Sequence, residues 1–204
     1  MPEGHWALGT TEILGSPVRV ERVDLNHAGR RREPMSEEKL VEPWLRGNLT
    51  EIHAVPRAVL HALELAKEDV ERWCGELTDE ELDARPAGIA PVAFHMRHIA
   101  RSIDRLLTYA EGGQLNGVQM AALNDELAVG SSRNELFAEF RSALAAGRAR
   151  VEALEASGLD EIRKVGKKEL STTVGGLLVH VADHTQRHVG QAITTSKIVV
   201  AQRK

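Results

Sequence analysis

Of the nine histidines in the chain, five stand in two short stretches, Phe94-His95-Met96-Arg97-His98 and His180-Val181-Ala182-Asp183-His184-Thr185-Gln186-Arg187-His188. Residues three or four apart share a face of an α-helix, so His184 and His188 point the same way, with His180 one turn before them. Neutral imidazole nitrogens coordinate zinc, nickel, iron or copper well, and this spacing suits a metal site built on a helix. The bland alternative is that such histidines hydrogen-bond one another or line a polar cavity. Position favours the metal. Continuing the apolar stripe Val174, Leu177, Val181 along the same helix puts His184 and His188 where leucines would normally stand. Burying an imidazole without a partner costs roughly 1–3 kcal/mol, and a bound metal compensates for two in succession. Because imidazole must be neutral to coordinate, affinity is expected to fall as pH drops through about 6.

Other metal arrangements are weakened by what the chain lacks. His-Glu-x-x-His, which carries its own base, is absent. A di-iron carboxylate bundle needs Glu-x-x-His pairs, and no histidine here follows a glutamate by three. Cys74 is the single cysteine, which removes the Cys-x-x-Cys zinc modules and any intrachain disulfide. It lies in an apolar helical pattern and reads as a buried structural thiol. No Ser/His/Asp order or glycine-rich phosphate loop competes. What remains is a mononuclear, mostly imidazole site.

Four helices must position it. Val59, Leu63, Ala66, Val70, Trp73 and Leu77 recur at spacings of four and three, giving one apolar stripe from Pro56 onward. A second helix runs from about Pro91 to Glu111, with the stripe Val92, His95, Ile99, Ser102 or Ile103, Leu106 and Ala110. Ser132-Arg133-Asn134-Glu135 is a capping box that opens the third, whose stripe is Phe137, Phe140, Leu144, Gly147, Val151 and Leu154. After a polar stretch, Asp160 to Leu170, Thr172 or Thr173 caps the fourth. The link of roughly 20 residues between helices two and three is too long for a tight antiparallel turn. It can carry the chain back along the bundle and leave those helices parallel. Arg97, Arg101, Asp104 and Arg105 read as a solvated helix face. The expectation is an all-α four-helix bundle.

Residues 1–34 differ, being rich in Gly, Pro and Arg, with Val18-Arg19-Val20 after a Gly15-Ser16-Pro17 turn signal. Met35-Ser36-Glu37-Glu38 resembles a natural start, so residues 1–34 are expected to be an extension upstream of it, or else a short hairpin on the domain, with 35–204 forming the bundle. A net charge of −4 with scattered signs offers no basic footprint for nucleic acid, and 3% aromatic residues offer no stacking platform for bases. No run reaches the roughly 18 apolar residues of a membrane span, and no signal-peptide layout opens the chain. A cytoplasmic protein is expected.

At these residues the chain resembles the DinB-like (DinB/YfiT-like) superfamily of metalloproteins, over about residues 40–200. His98-Ile99-Ala100 resembles its helix-two ligand segment. His184-x3-His188-x-Gly190-Gln191 resembles its last-helix signature, and Thr78 through Pro86 its first interhelical loop. The resemblance implies an up-down-down-up order with a long crossover between helices two and three. It also implies homodimers, and a divalent metal (Zn, Ni or Fe) held by His98, His184 and His188. His95 and His180 are additional to that pattern: outer partners, substrate contacts or an alternative ligand. Ser102 and Gln191 are candidates to orient a ligand or a water, Gly190 to admit a neighbouring helix, and His61 lies on the flank of helix one. Superfamily members include transferases and isomerases that use a low-molecular-weight thiol, and others regarded as hydrolases. The expectation is a metal-dependent enzyme that activates a small thiol or water against an electrophilic small molecule. A non-enzymatic, metal-stabilised and stress-related binding protein is the alternative, for which His95 or His180 would close the site as a fourth ligand.

Overall fold

The computed structural model describes residues 41–154 and 158–203. The expectation that residues 1–34 form an extension ahead of Met35 lies outside the described residues. The fold is mostly helical. Four long helices, α1 (Ala54–Cys74), α3 (Val92–Ala110), α5 (Arg133–Ala153) and α6 (Val174–Ala201), pack together, with the short α2 (Asp79–Leu82) and α4 (Gly117–Asn124) between them.

Local chemistry sets the boundaries. The Thr78 hydroxyl accepts from Glu81 N while the Glu81 carboxylate accepts from Thr78 N, and this capping box opens α2. Pro91 precedes α3, where its missing N–H costs nothing. Ser132 and Glu135 make the expected box at α5, and the Thr173 hydroxyl caps Gly176 N at α6. Ser132→Ala should cost about 1 kcal/mol, read as a lower urea midpoint; an unchanged midpoint would show that the cap contributes nothing.

Apolar stripes then bring the helices together. Val59, Leu63, Ala66 and Val70 of α1, Ile99, Ile103 and Leu107 of α3, Phe140 and Val151 of α5, and Leu178, Val181 and Val189 of α6 share one core. Helices α5 and α3 approach closely at Gly147, where a Cβ would sit 2.7 Å from Ile103 Cγ2. Residue numbers climb together along α1 and α6, where Gln186 donates to the Ala62 carbonyl and Ser196 to the Trp73 carbonyl. They also climb together along α3 and α5, with Arg101 on Glu139 and Glu111 on Arg150. They run oppositely along α3 and α6, where His95 meets His188 and Ser102 meets His184.

The elements themselves depart from expectation in two places. Trp73 is 38% exposed, its ring flanked by the Lys197 ammonium at 4.2 Å, and Cys74 takes the core position. A strict seven-residue stripe drifts about 20° per heptad around a straight helix, so after two heptads the inward position has moved on. Burial pushes the Cys74 thiol up to about 12, which leaves it unreactive. The stretch between α5 and α6, read as a polar separator in an all-α chain, instead folds as an antiparallel hairpin. Its strands are β1 (Ile162–Val165) and β2 (Leu170–Thr173), paired from Ile162–Thr173 to Val165–Leu170. Positive φ at Gly166 and Glu169 turns it, and Val165 packs against Tyr109, Ala110 and Leu177. Among the described residues no helix is long and apolar enough to cross a membrane.

Candidate metal centre

Helices α3 and α6 cross so that His98 faces His184 and His188. One ring nitrogen from each lies within 4.8 Å of the other two, and these three residues form a group that could hold a metal ion. Their ring centroids are 4.9, 4.3 and 4.6 Å apart, nearly an equilateral triangle. His98 Nε2 and His184 Nε2 are 3.2 Å apart. Two nitrogens bound tetrahedrally to one ion at 2.0–2.1 Å would be about 3.3 Å apart, so this pair already has the separation that ligation demands.

Each outer nitrogen has its own partner. His98 Nδ1 donates to Glu126 Oε2 at 2.6 Å. Ser102 Oγ donates to the Ile99 carbonyl at 3.1 Å, which turns a lone pair toward His184 Nδ1, 3.4 Å away. His188 Nδ1 meets His95 Nδ1 at 3.1 Å. With all three Nδ1 atoms engaged outward, Nε2 is the nitrogen left to each ring for ligation, and His98 and His184 already meet through theirs. This is how second partners fix the tautomer of a ligating histidine.

Electrostatics keep the rings fit to coordinate. Burial, reinforced by the neighbouring histidines, lowers His95, His184 and His188 to about 4. Burial alone would raise the Glu126 carboxyl, but hydrogen bonds from His98 and Arg105 hold it below the usual carboxylate range. The loss of affinity expected near pH 6 therefore moves toward pH 4 at His184 and His188, because protonation there must overcome burial. Stability follows with a definite sign. Unfolded histidine takes a proton near 6.5, whereas these three refuse it until about 4. As pH falls between those values the unfolded state gains protons that the folded state does not, and stability is lost. Urea midpoints of metal-free protein should fall steadily from pH 6.5 to 5; a flat profile would place the imidazoles at ordinary values.

The remaining candidates are distributed as follows. His95 is buried and touches His188 but stands outside the three-residue group. His180 has a half-exposed side chain 3.8 Å from Asp183. Gln191 is exposed, and among the described residues nothing lies within 4 Å of a Cβ placed on Gly190, so none of their helices packs closely there. His61 is hydrogen-bonded to Asn48 at 3.0 Å and lines a cleft of about 500 Å³ with Trp44, Arg57 and Gln186; that cleft includes none of the three grouped histidines.

The face read as solvated is not. Arg97 is 2% exposed, Arg101 donates to the Ala122 carbonyl at 2.8 Å, and Arg105 reaches Glu126 Oε1 at 2.7 Å. Asp104 is exposed yet accepts from Gln119 at 2.8 Å. The crossover between α3 and α5 lies along this face, and its carbonyls and Glu126 take up the charges. Two residues near the centre escaped the sequence reading. Glu126 sits in the crossover without any periodic signal. Phe94 does have one, four residues before His98, and its ring stacks on His98 at 5.4 Å and meets His95 edge-on at 5.2 Å.

Comparison with known proteins places the chain. The family model of the DinB superfamily matches residues 62–192, more than half of its length. A crystal structure of a DinB-like protein from Bacillus cereus superposes with a TM-score of 0.54 at 17% identity, covering 68% of this chain and 89% of that one. At that identity the likeness concerns the fold. No curated protein matches the chain.

Proposed function

The chain belongs to the DinB superfamily, and from that premise we propose that it is a divalent-metal-dependent enzyme in which His98, His184 and His188 are the ligands. In this reading a small thiol, or water, becomes the nucleophile that attacks an electrophilic small molecule. The observation that carries it is the donor count. Three imidazoles converge at the half-buried edge between α3 and α6, and among the described residues no fourth His, Cys, Asp or Glu joins the group. A centre with three protein ligands keeps a coordination position open, whereas a structural site is closed by a fourth. Zinc, nickel and iron all suit imidazole donors. When bound, such an ion supplies Lewis acidity that brings a thiol or water toward deprotonation near neutral pH.

The chain's own residues have separate tasks. Glu126 holds the proton on His98 Nδ1, Ser102 orients His184, and His95 orients His188. Phe94 gives the His98 side an apolar wall that limits solvent. The thiol loses its proton to solvent, its sulfur bonds the electrophilic carbon, and the displaced group leaves with the bonding electron pair. The same reading takes the helix order as up-down-down-up with a long crossover; its support is the residue pairs that climb together along α1 with α6 and along α3 with α5. It also takes the assembly as a homodimer, which light scattering would overturn by returning the mass of one chain.

The test follows consumption of a panel of low-molecular-weight thiols against a model electrophile by metal-loaded, metal-free and His188→Ala protein. Only the loaded wild type should be active, while circular dichroism shows all three helical. Folded protein that is inactive with every thiol and in ester hydrolysis, together with spectroscopy showing four protein ligands, would replace the enzyme with the structural-metal alternative.

A further inference from the structure

Glu126 reaches His98 only because the crossover lies where it does, and apolar burial does not put it there. On either side of Ala128, Leu127 is 56% and Val129 68% exposed. Polar contacts from below hold this stretch instead. Arg97 Nη1 donates to the Ala128 carbonyl at 2.5 Å, and Asp83, at the end of α2, accepts from Gly130 N at 2.8 Å through Oδ2. The second terminal atom of each group, Arg97 Nη2 and Asp83 Oδ1, is buried without a partner, and among the described residues only Thr185 Oγ1 shares that condition. Leaving a buried charged group part-satisfied costs free energy. A methionine would fill the Arg97 position without that cost, but it could not grip a backbone carbonyl.

We propose that Arg97 and Asp83 are positioning residues for the metal centre: from two helices they clamp the backbone at Ala128 and Gly130, and so set Glu126 at hydrogen-bond distance from His98 Nδ1. The inference rests on the metal-centre reading above. The clamp is separate from Arg101 and Arg105, which hold the crossover at Ala122 and at the Glu126 carboxylate itself. It acts two to four residues beyond Glu126, where the large apolar side chains Leu127 and Val129 lie exposed. If it is released, Glu126 keeps Arg105 but can drift from His98, whose Nδ1 proton is then no longer held.

Cobalt(II) is the probe, its affinity measured by chelator competition and its ligand field by visible absorption. Arg97→Met and Asp83→Ala are each made in the wild type and in a Glu126→Ala background. In the wild type each should weaken cobalt binding about tenfold, the low end for loss of a ligand's supporting partner, and alter the absorption bands. In the Glu126→Ala background the same substitutions should change affinity little, because the group they act through is gone. A merely structural role would give equal losses in both backgrounds, and that result, or no loss in either, overturns the clamp. Should Arg97→Met fail to fold by circular dichroism, the Asp83→Ala cycle decides alone. Wild-type protein that takes up no cobalt overturns the metal-centre reading and the clamp with it, whereas wild-type binding with an additive cycle removes only the clamp.

Discussion

Alanine at His184 or His188 should empty the protein of metal, from about one divalent ion per chain to none. Each substitution removes one of three converging imidazoles, and two remaining nitrogens on a partly solvated edge compete poorly with water and buffer for a divalent ion. His98→Ala should behave the same way. His95→Ala should keep its metal with reduced affinity, since His95 lies outside the group and touches the centre only through His188. Elemental analysis of untagged protein is the measurement. Undiminished metal in the His184 and His188 variants would remove the centre altogether. A metal-free His95→Ala beside a loaded His98→Ala would instead mean that α3 presents its other histidine. Circular dichroism should stay helical throughout, because the shared apolar core does not depend on the ion.

Glu126→Ala should lower metal affinity 10–100-fold, the range typical for removing the outer partner of a ligating histidine. The carboxylate is 5% exposed and bridges His98 at 2.6 Å and Arg105 at 2.7 Å, so its removal frees the His98 proton to move to Nε2, the nitrogen needed for ligation. Glu126→Gln should fall between, since the amide oxygen still accepts from Nδ1 but the charge is gone. Chelator competition at pH 7 reads both. Wild-type affinity in Glu126→Ala would show that the ring is oriented by packing, with Phe94 its stacking neighbour.

The histidine geometry was legible in the chain because helical spacing is a local rule. His184 and His188 had to share a face, and with Val181 buried one turn before them, that face had to turn toward the neighbouring helices. Choosing His98 over His95 needed more, because both stand on the inward edge and only the crossing of α3 with α6 settles which faces the triangle; the family-like His-Ile-Ala segment supplied that choice. Glu126 could not be read. Its role depends on the path of a link whose sequence carries no period, and the cations at 97, 101 and 105 looked solvated for the same reason. A one-sided stripe of charge on a helix reads alike whether water or another segment's carbonyls cover it. The hairpin leaves little trace in the chain because Ile162-Arg163-Lys164-Val165 sets its apolar residues three apart and Leu170-Ser171-Thr172-Thr173 has one alone, so neither shows the alternation of a half-buried strand.

The three grouped histidines also come from far apart along the chain: His98 and His184 are separated by 86 residues. An ion held there ties the second long helix to the last. Closing a loop of that length before the helices have assembled carries an entropic cost that assembled helices have already met. An ion bound there would thus be a late arrival on the folding route. It would add little to the rate at which the helices assemble and would act instead on the way out, holding α3 and α6 together until a ligand lets go. The loaded protein would then owe its persistence to slow opening more than to fast formation.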